Sequence, residues 1–354
     1  MPGNAKTVVL KQWIPDGLPQ TEHFTVQESP APTPGSLAEG ELLVKVLVMS
    51  ADPYLRSRCK SEAKAGKNIP FAMSGFAAGR VLASRRAGWT AGELFGASLP
   101  FCTVQVVGEE AFKDLAPWKL EGLFEAHISH GIGVLGMPGS TAYGGLIDVL
   151  RPEDSPAKPE VIWVSGAAGA VGSLVGQLAK QLYGCTVIGS CGGPEKGTLV
   201  KEQFGFDHVI DYKTCPGAQA LAAAVKACAP DGIDMYFDNV GGTHFEAAMQ
   251  NLRAHGRVAI CGGISRYCDG ERQPERFFPT DMIYTFQRVE GFMCAPWLRG
   301  KKGSFHTDMP RWLAEGKIVV EETRFDGIAS WPMAFQSLFT GANKGKVVVV
   351  VADD

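Results

Sequence analysis

The stretch at 161–172, VIWVSGAAGAVG, limits what this chain can fold into more than any other. Val161-Ile162-Trp163-Val164 is a short apolar run with a strand's length and β-branched content. It breaks into a glycine-rich turn, after which Leu174, Val175, Leu178, Ala179 and Leu182 recur at helical spacing. Strand, glycine turn and helix in that order form the context that makes a glycine motif meaningful. Glycines let the backbone approach a pyrophosphate, and the unpaired N–H groups of the helix start attract its charge. Gly166, Gly169 and Gly172 are spaced GxxGxxG, not the commoner GxGxxG. In this context the motif points to a dinucleotide. Alone it would be only a turn.

Downstream, apolar runs at 185–189, 208–211, 233–238, 257–261 and 289–293 alternate with helical patterns at 195–204, 218–227 and 243–252. Strands alternating with helices predict a doubly wound parallel sheet, here a six-stranded Rossmann unit in an α/β protein. The first 135 residues read differently. Strand-like runs at 7–10, 41–50, 74–84 and 96–107 are separated by Gly and Pro turns, so this part is mainly β. Gly139-Ser140-Thr141-Ala142-Tyr143 is the expected cap of a helix over 144–150, followed by a proline-rich loop at 152–159. Beyond 305 come helical patterns at 305–314 and 333–340 and a strand at 346–351, pieces too short for a domain of their own. The expected division is therefore 1–135 with 306–354 as one domain and 136–305 as the other.

The bulk properties exclude several classes. In 354 residues the formal net charge is -3 with both signs interspersed, which offers no footprint for nucleic acid or for an anionic membrane surface. No apolar run approaches the ~20 residues of a membrane span. The N-terminal residues carry neither a signal peptide's apolar core nor a transit peptide's arginines, so a cytoplasmic location is expected. The nine cysteines include no CxxC pair, which reads as reduced thiols and not as a disulfide framework.

The second strand of the parallel unit runs into Gly189-Ser190-Cys191-Gly192-Gly193-Pro194, without the acid that holds ribose hydroxyls in NAD sites. Small residues leave room for a 2′-phosphate, and Lys196 can neutralise it, so NADP(H) is favoured over NAD. Lys196 as a solvated helix lysine is the plainer alternative. Asn239, with Gly241 and Gly242, follows the fourth strand, where open sheets bind ligands. A simple turn would read the same way. Tyr267 leaves the fifth strand nearby and can donate to a substrate oxygen, or merely pack with a wet hydroxyl. A zinc alcohol dehydrogenase needs Cys, His and acid ligands, yet His127 and His130 lie together with neither Cys nor acid at matching spacing. No metal is expected. The Tyr-x-x-x-Lys pair of short-chain dehydrogenases is missing at Tyr183 and Tyr212. There remains metal-free reduction of an activated double bond, in which donors hold an enolate oxygen.

Along its whole length the chain resembles the zinc-independent medium-chain dehydrogenases/reductases, in particular the leukotriene 12-hydroxydehydrogenase/prostaglandin reductase family. The resemblance rests on Asp52-Pro53-Tyr54-Leu55-Arg56, on Gly136-Met137-Pro138-Gly139-Ser140-Thr141-Ala142-Tyr143, on the glycine turn, on Glu195-Lys196, on Asp211-Tyr212-Lys213, on Asp238-Asn239-Val240-Gly241-Gly242 and on Gly341-Ala342-Asn343-Lys344-Gly345-Lys346. It implies that the β-rich part is a GroES-like domain and that Gly169, Ala170, Val171 and Gly172 hold the pyrophosphate. It assigns the 2′-phosphate to Lys196 and Tyr212. Further cofactor contacts fall to Asn239, Cys261, Gly262, Gly263, Ile264, Ser265, Phe292, Met293, Cys294 and Asn343. Tyr267 matches the tyrosine proposed in relatives to bind or protonate the enolate, and Tyr54 and Tyr143 are candidate substrate contacts. Gly75-Phe76-Ala77 stands where zinc-dependent cousins carry Gly-His-Glu. The resemblance also implies a homodimer joined near 289–293. The segment 268–279, which borders the substrate, is individual to this chain. The expected activity is NADPH-dependent reduction of the Cα=Cβ bond of a small-molecule enone or enal, prostaglandin- or leukotriene-type lipids among them. An NADPH:quinone reductase and a non-catalytic, crystallin-like NADPH-binding protein are the alternatives.

Overall fold

The computed structural model describes residues 3–113, 116–120, 122, 127–152, 159–271 and 273–351. Parts of the proline-rich loop and residues 352–354 lie outside them. The chain divides into two compact units, one of Met1–Gly136, Glu322–Asn343 and Val347–Asp354, the other of Met137–Glu321 and Lys344–Lys346.

Among the described residues, the first unit holds a seven-stranded sheet built on Leu42–Ser50 and Ser74–Ser84, with mostly antiparallel neighbours. A three-stranded sheet pairs Asn4–Leu10 with Phe24–Pro30 and Phe71–Ala72. Helix Trp331–Thr340 lies in this unit and buries Trp331 and Phe335 against Phe24 and Phe101. Burying each such ring contributes about 1.5–3 kcal/mol, enough to tie the late segment to the early sheet.

The second unit is the six-stranded parallel sheet. Its strands are β1 (Val161–Ser165), β2 (Thr186–Cys191), β3 (His208–Asp211), β4 (Ile233–Asp238), β5 (Leu252–Ile260) and β6 (Arg288–Gly291). They lie in the order β3-β2-β1-β4-β5-β6, which puts the topological switch between β1 and β4. Helices α1 (Gly172–Tyr183), α2 (Gly217–Cys228) and α3 (Thr243–Asn251) follow β1, β3 and β4. Gly184, at φ +63°, ends α1 in the left-handed turn that closes many helices. Trp163, Tyr236, Phe245 and Val225 fill the core between the sheet and α2 and α3.

Two expectations change. The helix expected over 144–150 begins earlier, as Met137–Tyr143, and widens into a π-helical stretch over Gly144–Leu150. Ser140 and Thr141 are not caps. Their hydroxyls bond back to the Met137 carbonyl inside the helix, at 3.0 and 2.7 Å. The glycines allow close packing here, since a Cβ on Gly144 or Gly145 would meet Trp297 at 2.3 Å or Phe292 at 2.4 Å. The segment 306–321, expected with the β domain, belongs instead to the parallel-sheet unit. Helix Phe305–Ala314 stacks Trp312 on Tyr143 and bonds it through Asp308, and Gln177 of α1 holds Val319 by both its amide groups. Those contacts outweigh sequence proximity to the final strands.

Candidate cofactor and active site

The site is built where the parallel strands end. At the end of β1, Gly166 adopts φ +62° and its carbonyl accepts the N–H of Gly169 at 2.9 Å. A Cβ on Gly172 would lie 2.4 Å from that carbonyl oxygen, so the third glycine lets α1 start against the turn. One helical turn on, a Cβ on Gly176 would run into the Phe206 ring at 1.9 Å. Positive φ thus calls for glycine at 166 and close approach at 172 and 176, while a Cβ on Gly169 would lie 3.2 Å from the Gly166 carbonyl oxygen. Gly345 N–H donates to the Ala168 carbonyl at 2.7 Å and Ala167 N–H to Ser190 at 3.0 Å, which fastens the turn from two sides.

At the end of β2 the chain passes through Gly192 and Gly193 into the helix Pro194–Thr198. Lys196 is half-buried, and its ammonium is pulled below the usual lysine range, first by burial and then by Lys213 and Lys344. Three lysines thus share one locale. Glu195, the nearby acid, is paired with Lys344. Asp211, at the tip of β3, turns inward, its Oδ1 accepting the N–H groups of Gly193 and Lys213 at 3.0 and 3.1 Å. Tyr212 stays 38% exposed, with its hydroxyl 3.1 Å from where a Cβ on Gly192 would sit. A lysine-rich locale beside a small-residue strand tip, in which Asp211 is taken up by backbone N–H groups and Glu195 by Lys344, suits a phosphomonoester. The donor set fits the 2′-phosphate of NADP(H).

At the end of β4, buried Asp238 accepts from Tyr236 Oη at 2.7 Å, Gly241 N–H at 2.8 Å, Val240 N–H at 2.9 Å and Ser165 Oγ at 3.2 Å. Burial pushes its carboxyl up, and these four donors counter that. Ser165 Oγ accepts the Asn239 N–H, and the Asn239 amide donates to the Ser165 carbonyl at 2.7 Å. Asn239 is thereby held at the switch between β1 and β4. Sequence reasoning missed Ser165, Tyr236 and Asp238 as the frame of this turn. Tyr236 is two residues before Asp238 on β4, whereas Ser165 comes from β1, 73 positions away, so no local pattern announced that partner.

The loop after β5 zips onto the same turn. Cys261 and Gly262 donate to the Asp238 carbonyl at 2.9 and 3.0 Å, Ile264 to Asn239 at 3.3 Å and Ser265 to Val240 at 3.1 Å. Gly263 N–H donates to Tyr267 Oη at 3.2 Å, so the phenol oxygen accepts and its own proton is left to donate. Burial raises the Tyr267 pKa, which keeps the hydroxyl protonated at neutral pH.

The remaining predicted residues divide. Phe292 continues from β6 but packs its ring on Phe237 and Trp297. Met293 is 77% exposed, and Cys294 caps the short helix Ala295–Leu298. Tyr143 is buried, donating to Asp308 Oδ2 at 2.9 Å and accepting from Ser304 N–H at 3.1 Å, an arrangement that commits its hydroxyl to the fold. Burial pushes that phenol to about 12. Tyr54 and Asn343 belong to the other unit. There Tyr54 packs beneath Arg58, whose guanidinium carbon is 5.6 Å from its ring, and Asn343 is buried.

A parallel sheet in this order, a glycine turn of this spacing and a β-rich partner unit define the medium-chain dehydrogenase/reductase class. A family model described as zinc-binding dehydrogenase matches residues 170–311, and one described as N-terminal domain of oxidoreductase matches residues 6–115. Prostaglandin reductase 1 of Rattus norvegicus is 35% identical over 346 residues, covering 98% of each chain. The NADP(+)-dependent 2-alkenal reductase of Nicotiana tabacum is 36% identical over 357 residues, covering 98% of this chain and 97% of its own. The crystal structure of CurA from Vibrio vulnificus in complex with NADPH superposes with a TM-score of 0.85 at 35% identity, covering 99% of this chain and all of that one. The chain belongs to the prostaglandin reductase and alkenal double-bond reductase family of that class.

Proposed function

We propose that the chain binds NADP(H) and reduces the Cα=Cβ bond of α,β-unsaturated ketones and aldehydes. Membership of its family makes it an NADP-dependent oxidoreductase. Gly169, Ala170, Val171 and Gly172 would hold the pyrophosphate, and Lys196 with Tyr212 the 2′-phosphate. Asn239, the 261–265 backbone, Phe292, Met293 and Cys294 would complete this unit's cofactor contacts. The chemistry that NADPH supplies when bound is hydride donation to the β-carbon. Tyr267 then donates its hydroxyl hydrogen bond to the enolate oxygen, and a proton delivered to the α-carbon, from water or from Tyr267, completes the reduction. The observation that carries this reading is the Tyr267 hydroxyl, kept protonated and held by Gly263 N–H at the end of β5.

The test is NADPH consumption against a panel of enones, enals, quinones and a lipid keto-enone. Consumption with the enones and enals, yielding saturated carbonyls, is expected. Faster turnover of quinones would favour a quinone reductase, and binding of NADPH without turnover of any acceptor would favour a non-catalytic protein. We also take the chain to be a cytoplasmic homodimer. The odd set of nine cysteines without a CxxC pair supports a reducing compartment. Exposed Phe278, Ile283, Tyr284 and Phe286 beside the edge strand β6 support self-association, which light scattering on the purified protein checks.

A further inference from the structure

The loop after β5 runs on past Tyr267, and three contacts fix its far end to the start of α3. Glu275 Oε1 accepts the Gly242 N–H at 2.7 Å. Glu246, in the first turns of α3, accepts the Arg276 N–H at 2.9 Å. Phe277 meets Phe245 edge to face, with ring centroids 5.5 Å apart at 89°. A hydrogen bond, its reciprocal and an aromatic pair thus join residues some thirty positions apart in sequence.

The near end of the segment meets the same two glycines. A Cβ on Gly241 would lie 3.1 Å from Glu275 Oε1 and 3.3 Å from Gly263 Cα, and one on Gly242 would lie 3.1 Å from Ser265 Oγ and 3.3 Å from Arg266 Nε. Both glycines have positive φ, and the turn gives its Gly241 N–H to Asp238 and its Gly242 N–H to Glu275 while admitting neighbours from both directions. Tyr267 therefore leaves a base that Glu275 closes. Gly263, whose N–H holds the Tyr267 hydroxyl, is part of that base. A carboxylate accepting a backbone N–H at a helix start is among the stronger hydrogen bonds available to a loop.

We propose that Glu275 is a positioning residue for Tyr267: its carboxylate clamps the loop to Gly242 and so fixes the hydroxyl that serves the enolate. The proposal rests on the role given to Tyr267 above. In the full-length protein, Glu275→Ala lowers kcat with an enone about tenfold while the NADPH dissociation constant, read by fluorescence, stays within about twofold. Trypsin cleavage after Arg276 quickens by about the same factor. Glu275→Gln, whose amide oxygen still accepts the N–H, restores most of both. In a Tyr267→Phe background, Glu275→Ala costs no further turnover yet still speeds cleavage. An equal loss in both backgrounds overturns the positioning role, because the effect then does not run through Tyr267. Unchanged cleavage in Glu275→Ala overturns the clamp and leaves Tyr267 standing. Full turnover by Tyr267→Phe alone overturns the role of Tyr267 and the positioning claim with it, while the cleavage arm still reports whether the clamp exists.

Discussion

The two ends of the parallel sheet are built on opposite principles. Around the tips of β2 and β3, charge is gathered and left partly to solvent. Lys196, Lys213 and Lys344 crowd one another, and Tyr212 stands exposed. Around the tips of β4 and β5 almost every polar group is tied to its neighbour, from Asp238 with its four donors to the loop whose N–H groups answer the 238–240 carbonyls. A site that captures a dianion gathers positive charge, and it can settle around the ligand as it arrives. A site that stabilises developing charge must have its donor in position beforehand, because reorganising it during the reaction would consume the stabilisation. On the proposed assignment the first end would serve recognition, and the second would be a fixed frame.

The largest effect expected from breaking this contrast lies at the open end. Lys196→Ala should weaken NADPH by about a hundredfold and NADH by less than about threefold, since only NADPH carries the 2′-phosphate that the lysine would meet. Titration of each cofactor by fluorescence measures the ratio, and equal weakening of the two would remove Lys196 from phosphate recognition. At the framed end, Tyr267→Phe should lower kcat about thirtyfold while leaving NADPH affinity nearly unchanged. If affinity falls as much as kcat, Tyr267 serves binding and the contrast between the two ends disappears.

The same contrast governs what could be read without coordinates. The open end was legible because its chemistry is local: a strand, Gly192-Gly193, and Lys196 within a few positions, with Tyr212 one residue past a second strand. The doubly wound parallel sheet was legible from alternation, and β4 falls on the residues expected for it. The frame was not. Ser165 and Asp238 meet across 73 positions, and Gly242 and Glu275 across 33, and no periodicity announces a pairing of that kind. Tyr143 shows the converse error. It sits in a recognisable motif, yet its hydroxyl serves Ser304 and Asp308, the second from a segment that was expected in the other domain. Long-range polar pairing, not secondary structure, marks where reading by pattern stops.

His244 lies between the two ends. It is the second residue of α3, stacked on Trp163 with centroids 5.9 Å apart and edge-on to Tyr212 at 5.3 Å. Its Nε2 is buried with no hydrogen-bond partner among the described residues, and burial depresses the ring pKa from 6.5 to about 4. The folded state therefore holds the ring neutral over a range in which the unfolded chain binds a proton. Stability contributed by the neutral ring is present above pH 6.5 and is lost as pH falls from there toward 4. Between pH 7 and pH 5.5 that loss amounts to about 1 kcal/mol, the smallest of these effects. Denaturant unfolding at the two pH values should show it in the wild-type protein and not in His244→Phe, which keeps the aromatic contacts without a titrating nitrogen. An equal pH dependence in the variant would assign the effect to another group. Because Tyr212 leans on this ring, the variant also asks whether the open end depends on the core beneath it: NADPH affinity should hold in His244→Phe, since Lys196 follows β2, Lys213 follows β3 and none of the lysines lies on α3.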